Sequence, residues 1–286
     1  DHHSIRGGIT KVPFGITPYA SLSWFETPAY YLGFEDDFDL GFVYTWKNAP
    51  FKVDLAYFPR DEGVWLSNGR SKHSSRYSAD IVPEGDSGNK ERHQFNLRLI
   101  YTLDQGKDIN NELGISWQYG LIPNEDTNKN GDHQALALHW HGQFKPWEVK
   151  LSYINYRYKL ENPAGQDRSV AQFGYFDAFP YNVASRGQMY IGSIGYTFNV
   201  NKGPLKSITP YIEYTYLDKQ KSNWTDSQQF NTGLIWDFGN LYIYSEIYFA
   251  REHPDIGKGT FPNGFAGGSG NADWHTWVLV TFAYFF

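Results

Sequence analysis

The chain has 286 residues, no cysteine, a formal net charge of −6 and a mean hydropathy of −0.56. This length is sufficient for one large domain or two small ones, each with a sizeable core. The lack of cysteine excludes disulfides, zinc–thiolate sites and thiol nucleophiles from this sequence, and the acidic balance disfavours non-specific nucleic-acid binding.

Aromatic residues are unusually frequent, at 19% of a chain whose average is polar. Soluble proteins usually fill their cores with Leu, Ile, Val and Ala instead. No run of about 18 apolar residues occurs, which excludes a transmembrane helix from this sequence. If the chain crosses a membrane, it therefore does so with the strands of a β-barrel.

Alternation of apolar and polar residues with a period of two is the dominant pattern along the chain. Helical periodicity is nearly absent and no composition change marks a boundary, so we expect one domain over residues 1–286. The pattern predicts about twelve strands, at 4–14, 38–48, 51–60, 92–104, 111–122, 133–144, 147–159, 187–200, 207–218, 227–238, 241–252 and 273–286.

The predicted links alternate in length. Short links lie at 47–50, 105–110, 145–146, 202–206 and 239–240. Long links lie at 15–37, 61–91, 123–132, 160–186, 219–226 and 253–272. Outer-membrane barrels alternate in this way, with tight periplasmic turns and extended outer loops. The predicted fold class is therefore all-β, a transmembrane antiparallel β-barrel, with a β-sandwich core strand as the alternative for 273–286.

The two faces of the predicted strands differ in the same sense. In the strand at 92–104, large apolar side chains alternate with Gln94, Asn96 and Arg98. The apolar face requires hydrocarbon, and Trp and Tyr near the strand ends are typical of membrane interfaces. The polar faces then line the lumen, and they carry Arg6, Lys52, Asp54, Arg98, Glu112, His139, His141, Glu148, Lys150, Glu213, Asp237 and Glu246.

A barrel of about twelve strands is wide enough to hold water, so we expect a hydrated passage. The alternative is an interior of paired charges that conducts little, since an unpaired buried charge costs several kcal/mol.

The first long link, 15–37, combines many rings with an acidic run, Glu35 to Asp37. A surface loop seldom carries so many rings without a packing partner. We expect it to fold inward and narrow the lumen, with packing at the rim or on a neighbouring subunit as the alternative. The residues predicted to line the constriction are Glu35, Asp36, Asp37, Lys52, Asp54, Arg98, His139, His141, Lys150 and Glu213.

Three runs carry a family resemblance: KVPFG at 11–15, YYLGFEDDFDLG at 30–41 and LAYF at 55–58. They resemble Gram-negative outer-membrane porins of the phosphate-selective O/P type. The resemblance implies passive diffusion of small hydrophilic solutes or ions, a constriction loop and frequent assembly as homotrimers. It also implies a bacterial outer membrane, with its lipid and lipopolysaccharide, as the surroundings. The arginine ladder of that type is not evident here, so phosphate selectivity is not predicted.

Such porins usually have sixteen strands, and the KVPFG strand is usually not the first. We therefore expect either a twelve-stranded relative or a chain that lacks about four N-terminal strands. The start, Asp1-His2-His3, is not an initiator sequence, which indicates a processed or truncated chain.

One loop resembles the start of a calcium-binding loop, with oxygen ligands at alternate positions before and after a glycine. The position that should close an EF-hand is Ala137, so we predict at most a loop-tip calcium site, with an ordinary polar turn as the alternative. The candidate ligands are Asp126, Asn128, Asn130 and Asp132.

Two histidines, His139 and His141, lie on one face of a predicted strand, where such a pair can bind metal or transfer protons. We expect them to line water instead, because no nucleophile stands in relation to them and no GxSxG, phosphate-binding or dinucleotide motif occurs. The prediction is that the chain is not an enzyme. The alternatives are an outer-membrane lipase or protease, or a structural or adhesive barrel with a closed lumen.

Overall fold

The computed structural model describes residues 2–25, 27–63, 76–83, 87–175, 180–268, 270 and 272–286. The described part is nearly all β-structure, which confirms the predicted class. Besides one short 3₁₀ helix, Tyr30–Leu32, it contains sixteen strands. These are β1 His3–Lys11, β2 Phe38–Asn48, β3 Phe51–Asp61, β4 Asp80–Ile81, β5 Arg92–Gln105, β6 Ile109–Asn124, β7 Lys129–Phe144, β8 Trp147–Lys159, β9 Val170–Gly174, β10 Tyr181–Ala184, β11 Arg186–Tyr196, β12 Phe198–Lys202, β13 Leu205–Asp218, β14 Ser227–Asp237, β15 Leu241–Arg251 and β16 His275–Tyr284.

Twelve strands form one antiparallel meander in the order β1-β2-β3-β5-β6-β7-β8-β11-β13-β14-β15-β16. They correspond to the twelve predicted strands, and the predicted strand at 187–200 is divided at Thr197 into β11 and β12. β12 lies off the main path and pairs with β13. Among the described residues, no helix is both long and apolar enough to span a bilayer.

The meander is curved and remains open between its two end strands. Arg98 on β5 and Glu246 on β15 both hydrogen-bond to the segment that follows β1, so the sheet curves around that segment. The expected closure of the barrel is not seen in the described part of the chain: β1 pairs with β2 and β16 pairs with β15, and no ladder joins β1 to β16.

The side chains of the curved sheet have an inverted burial pattern. On the outer, convex face Phe42 is 63% exposed and Phe282 is 68% exposed. On the inner face Arg98 is 3% exposed and Glu213 is 1% exposed. A soluble β-protein would bury the apolar face and hydrate the polar one. The predicted facing of the strands is therefore confirmed.

The long links pack together at one end of the sheet, and they form structure that the sequence pattern did not predict. β10, β9 and β4 make a second, three-stranded antiparallel sheet. A parallel bridge joins Val183 of β10 to Phe265 in the link between β15 and β16. Both side chains are fully buried in a core that also contains Tyr31 and Ile81, so residues from four different long links share it.

The predicted long link 123–132 is mostly strand. β6 continues to Asn124 and β7 begins at Lys129, with Pro123 paired to Asn130. The Asn124 side-chain oxygen accepts hydrogen bonds from the backbone N–H groups of Asp126 and Thr127, each at 3.0 Å. This polar turn was predicted as loop because its residues are typical of turns, although the backbone pairing extends through most of them.

Candidate functional site

Segment 15–37 lies across the inner face of the sheet. At its start, Gly15 donates its N–H to Ser116 Oγ at 3.1 Å, and its carbonyl oxygen accepts the Arg98 Nε proton at 2.8 Å. Gly15 adopts a φ of 58°, a left-handed conformation that glycine tolerates best. This conformation presents both backbone groups of Gly15 to β5 and β6.

The opposite wall supplies carboxylates to the same segment. Glu213 accepts the N–H of Leu22 at 2.8 Å and the hydroxyl proton of Ser23 at 2.7 Å. Glu246 accepts the N–H of Trp24 at 2.9 Å. Ionised acceptors make strong hydrogen bonds to backbone N–H groups in buried surroundings. The acids of β13 and β15 therefore hold the donors of the segment.

Lys150 on β8 holds its acceptors. The Lys150 Nζ donates to the carbonyl oxygens of Ser21 at 2.7 Å and of Tyr19 at 3.1 Å. Basic side chains thus bind carbonyl groups of the segment, and acidic side chains bind its N–H groups. Because nearly every buried backbone group needs a partner, this arrangement fixes both the path and the direction of the segment.

The acidic run of the segment is buried and engaged by protein groups. Glu35 accepts hydrogen bonds from the N–H of Ser21 at 2.6 Å and from the Thr27 hydroxyl at 2.7 Å. Asp36 forms an ion pair with Lys11 and accepts the Tyr77 hydroxyl proton at 2.9 Å. These carboxylates stabilise the folded-in conformation of the segment, so their exposure to a solute is small.

Asp37 is part of a buried acidic group. One carboxylate oxygen from each of Asp37, Asp39 and Asp80 lies within 4.8 Å of the others. Arg76 Nε is 3.2 Å from Asp80. Burial, together with the nearby carboxylate of Glu91, raises the pKa of Asp37 well above its usual range. Such a group is satisfied either by shared protons or by a divalent cation.

Three predicted lining residues form one charged cluster on the inner wall. Asp54 accepts a hydrogen bond from Arg98 at 3.1 Å and lies 3.4 Å from Lys52 Nζ. The Thr45 hydroxyl donates to the other Asp54 oxygen at 2.6 Å. The buried carboxylate is therefore fully partnered, and Arg98 is shared between it and Gly15.

The two predicted histidines have different surroundings. His141 contacts Glu148 at 2.8 Å, and Glu148 lies 3.9 Å from Lys150. His139 is 6% exposed and packs on Gly114, where an added Cβ would lie 2.1 Å from its ring. The missing side chain at position 114 therefore creates the space that His139 fills.

The calcium prediction for 126–132 stays a prediction. Asp132 faces outward, 3.2 Å from the Arg157 guanidinium and 4.0 Å from Lys159 Nζ. The N–H of Asp126 is held by Asn124, as described for the turn. A cation bound here would compete with two basic side chains for Asp132.

A cavity of about 590 Å³ separates the segment from β14, β15 and the C-terminus. Its only charged lining groups among the described residues are Asp36 and Lys150. The remainder of its wall is largely aromatic: Tyr19, Trp24, Phe25, Tyr30, Tyr31, Tyr77, Tyr175, Tyr244 and Phe285.

An aromatic cluster lies where the segment meets the long links. The centroid of the Tyr31 ring is 4.8 Å from that of the His253 ring and 5.5 Å from that of the Phe265 ring. The Tyr181 hydroxyl donates to the Tyr31 carbonyl oxygen at 2.7 Å. Burial lowers the pKa of His253 to about 3. The uncharged imidazole is therefore the form that the cluster accommodates.

The constriction residues predicted from the sequence are thus divided between the segment and the walls that hold it. Arg98, Lys150 and Glu213 contact the segment directly. Ser116 and Tyr248 also hold it, and neither was predicted as a site residue. Both occupy inward positions of predicted strands, so the alternation pattern predicts that they face the interior. Their neutral hydroxyl groups gave no reason to select them as site residues.

No family model matches the sequence, and no curated protein matches it. Among solved structures, OccAB1 of Acinetobacter baumannii is similar, with a TM-score of 0.42 and 11% identity, covering 99% of this chain and 74% of that one. The outer membrane protein OprD of Pseudomonas aeruginosa gives a TM-score of 0.39 and 13% identity, covering 86% and 68%. A BenF-like porin from Pseudomonas fluorescens Pf-5 gives a TM-score of 0.37 and 9% identity, covering 86% of this chain and 68% of that one. At these identities no residue's role carries over to this chain.

Proposed function

We propose that this chain forms an outer-membrane porin, a barrel through which small hydrophilic solutes or ions diffuse passively. The observation that carries the proposal is the inverted burial of the twelve-stranded meander, whose outer face is apolar and exposed while charged side chains are buried inside. In water such an extended apolar surface is unfavourable. In a bilayer it is the lipid-facing band, and the polar face lines the lumen.

Aromatic pairs on the outer face support the bilayer location, because Trp and Tyr are enriched near membrane interfaces. On neighbouring strands β8 and β11, Trp147 pairs with Tyr196, and six residues further along Tyr153 pairs with Tyr190. The ring centroids are 4.7 Å and 5.2 Å apart. Six residues span roughly 20 Å along the strand, which a tilt of about 40° reduces to roughly 15 Å of height, within the apolar band of about 25 Å of an outer-membrane barrel.

The proposed passage runs along the cavity between segment 15–37 and the inner wall. Asp36 and Lys150 line it, with Asp36 paired to Lys11 and Lys150 bound to carbonyl oxygens of the segment. The segment acts as the constriction because it occupies lumen volume and is held on both sides by Arg98 and Glu213. Narrowing by a fixed polar segment selects solutes by size and charge.

The proposal requires that the edges of β1 and β16 be satisfied in the membrane. Unpaired backbone N–H and C=O groups in hydrocarbon cost several kcal/mol each, so an open sheet edge is not stable there. Twelve is an even number, so β1 and β16 run antiparallel and can form a ladder with each other. Assembly into a homotrimer is a further part of the proposal, and chemical crosslinking in membranes tests it.

Single-channel recording in planar bilayers tests the function. The refolded full chain should give discrete conductance steps, and a salt gradient should give a reversal potential that reports the charge of the lumen. Lys150→Gln should shift the reversal potential toward cation selectivity, because it removes a positive group from the passage. The matched control Lys145→Gln removes a lysine at a short turn and should leave it unchanged. Protease-protected, inserted protein that never conducts would overturn the porin proposal.

A second candidate is a barrel with a closed lumen whose long links form its active part. The aromatic cluster around Tyr31, which is 1% exposed, favours it, because the segment and the links share a buried core there. The two candidates differ in one measurement. A closed barrel is silent as wild type and conducts only when the segment is released, for example by Arg98→Ala.

A further inference from the structure

The outer face of β8 and β11 changes character in a regular order toward the long links. Directly opposed pairs run from Leu151–Gly192 through Tyr153–Tyr190 to Asn155–Gln188 and then Arg157–Arg186. The order is apolar, aromatic, amide, cationic. This is the order of acyl chains, interface and phosphate groups in a lipid leaflet.

The last pair places two arginines opposite each other. Like charges directly opposite on one face of an antiparallel ladder destabilise it. Arg157 is compensated by Asp132 at 3.2 Å, whereas Arg186 donates to a neutral backbone carbonyl, that of Gln220, at 3.4 Å. An anion that bridges both guanidinium groups removes the repulsion.

A cavity of about 440 Å³ opens beside this pair. The links after β8 and β13 form its other sides. Among the described residues, six basic side chains and one acidic side chain line it. The acidic one is Glu161, and the basic ones are Arg157, Lys159, Arg168, Arg186, Lys219 and Lys221.

Several of these cations are held in place by the protein. Lys221 Nζ lies 4.2 Å from the centre of the Trp224 ring and also pairs with Asp167 at 3.6 Å. Lys219 is 1% exposed, and its Nζ donates to the Gly264 carbonyl at 2.6 Å. With Asp132, Glu161 and Asp167 as partners, and with Asp226 and Glu252 beside Lys219, the six cations leave a net positive charge of one.

We propose that this cavity binds the phosphate groups of a phosphorylated outer-leaflet glycolipid of the lipid A type, with its acyl chains on the apolar band below. Arg157 and Arg186 hold the phosphate, since planar guanidinium groups bind phosphate oxygens in pairs. The proposal rests on the proposed membrane location. It goes beyond the passage, because the site lies on the lipid side of the wall.

Binding of purified diphosphoryl lipid A to the full chain in detergent micelles tests the site. The wild type should bind it, and Arg157→Gln combined with Arg186→Gln should weaken the affinity about tenfold or more. The matched control, Lys107→Gln with Lys145→Gln, removes the same charge from the short-turn end and should bind as the wild type does. Native mass spectrometry counts the retained lipid, and circular dichroism verifies that each variant is folded.

Two further ligands identify what is recognised. Dephosphorylated lipid A should bind at least about tenfold more weakly than the diphosphoryl form. Inorganic pyrophosphate should compete only at much higher concentration, because it lacks the acyl chains. Equal binding by the double variant, or equal binding of the dephosphorylated lipid, overturns the proposal. Full competition by pyrophosphate at the lipid's own concentration overturns the lipid as occupant and leaves a soluble-anion site.

Insertion into lipid A-free phosphatidylcholine vesicles, followed by protease protection, is measured separately. Failure to insert contradicts the proposed membrane function. If the protein inserts normally but the double variant and its control bind lipid A with the same affinity, the lipid site is contradicted and the membrane function is not.

Discussion

Arg98 and Gly15 are 83 positions apart in the sequence, yet the Arg98 Nε donates to the Gly15 carbonyl oxygen at 2.8 Å. The same guanidinium binds Asp54 through a second nitrogen at 3.1 Å. One buried cation therefore connects the inner wall to the segment that crosses the lumen. Its removal affects both the wall and the segment.

The Arg98→Met substitution should lower the free energy of unfolding by about 3 kcal/mol, because it leaves the buried Asp54 carboxylate with Lys52 as its remaining cationic neighbour. Adding Asp54→Asn should recover more than half of the loss, since the uncompensated charge is then gone. Urea unfolding in detergent micelles measures both. Arg60→Gln, at an exposed position of β3, is the control and should change stability by less than about 0.5 kcal/mol. A full-sized loss that Asp54→Asn does not relieve would show that the contact with Gly15 dominates.

The Gly114→Ala substitution should destabilise the protein by about 1–3 kcal/mol, because the new Cβ would lie 2.1 Å from the His139 ring and 2.6 Å from Ile100 Cδ1. Combining it with His139→Ala should cost less than the sum of the two single changes, since the small side chain leaves space for the methyl group. Thermal unfolding of the four variants of this cycle gives the coupling. Gly192→Ala is the control, because its Cβ would contact only the flexible end of Leu151 at 3.2 Å. If the free-energy changes of the two single substitutions simply add, the direct packing of His139 on Gly114 is contradicted.

The stability of the link cluster should depend on pH through His253. Its pKa is about 3 in the folded protein and near 6.5 when the chain is unfolded, so the folded state disfavours the charged ring. Above pH 6.5 His253 therefore adds no pH dependence to the free energy of unfolding. As the pH falls from 6.5 toward 3, the free energy of unfolding decreases by about 1.4 kcal/mol per pH unit.

The His253→Phe substitution keeps an aromatic ring and removes this titration. The wild type should therefore lose unfolding free energy relative to the variant as the pH falls from 7 to 5. Using the difference cancels the contribution of other groups such as Glu91, whose pKa burial raises to about 7 and whose effect has the opposite sign. A pH-independent difference would rule out His253 as the source.

The two edge strands should pair when the protein is in a membrane. Because the chain has no cysteine, Ile5→Cys with Val280→Cys introduces a unique pair on the outer faces of β1 and β16. Ile5→Cys is also combined with cysteine at position 278 or 282, which lie on the same face of β16, so that other registers of the β1–β16 ladder are covered. Oxidation in vesicles should give an intrachain disulfide, detected by a shift in gel mobility that reductant reverses. The single variants are the controls. Disulfides formed only between two chains would instead show that the edge is covered by a second copy.

The sequence alone determined the strands and their facing. The alternation of side chains has a period of two and is local, so β5 and its neighbours could be placed within a few residues and their polar faces assigned correctly. The inward side of Arg98, Lys150 and Glu213 follows from that alternation. The main local error, the link at 123–132, arose because turn-forming residues there are held in a ladder by their partners.

Only the tertiary structure decided what the inward groups contact. Glu213 binds Leu22 across 191 positions, and Val183 meets Phe265 between two separate links. Such pairings depend on how the strands curve and on which loop ends come together, and no local pattern records that. The same holds for the opposed Arg157 and Arg186, whose meeting depends on the register between β8 and β11. The sequence therefore determines the faces of the sheet, whereas long-range geometry determines which charges face one another and which remain available to a ligand.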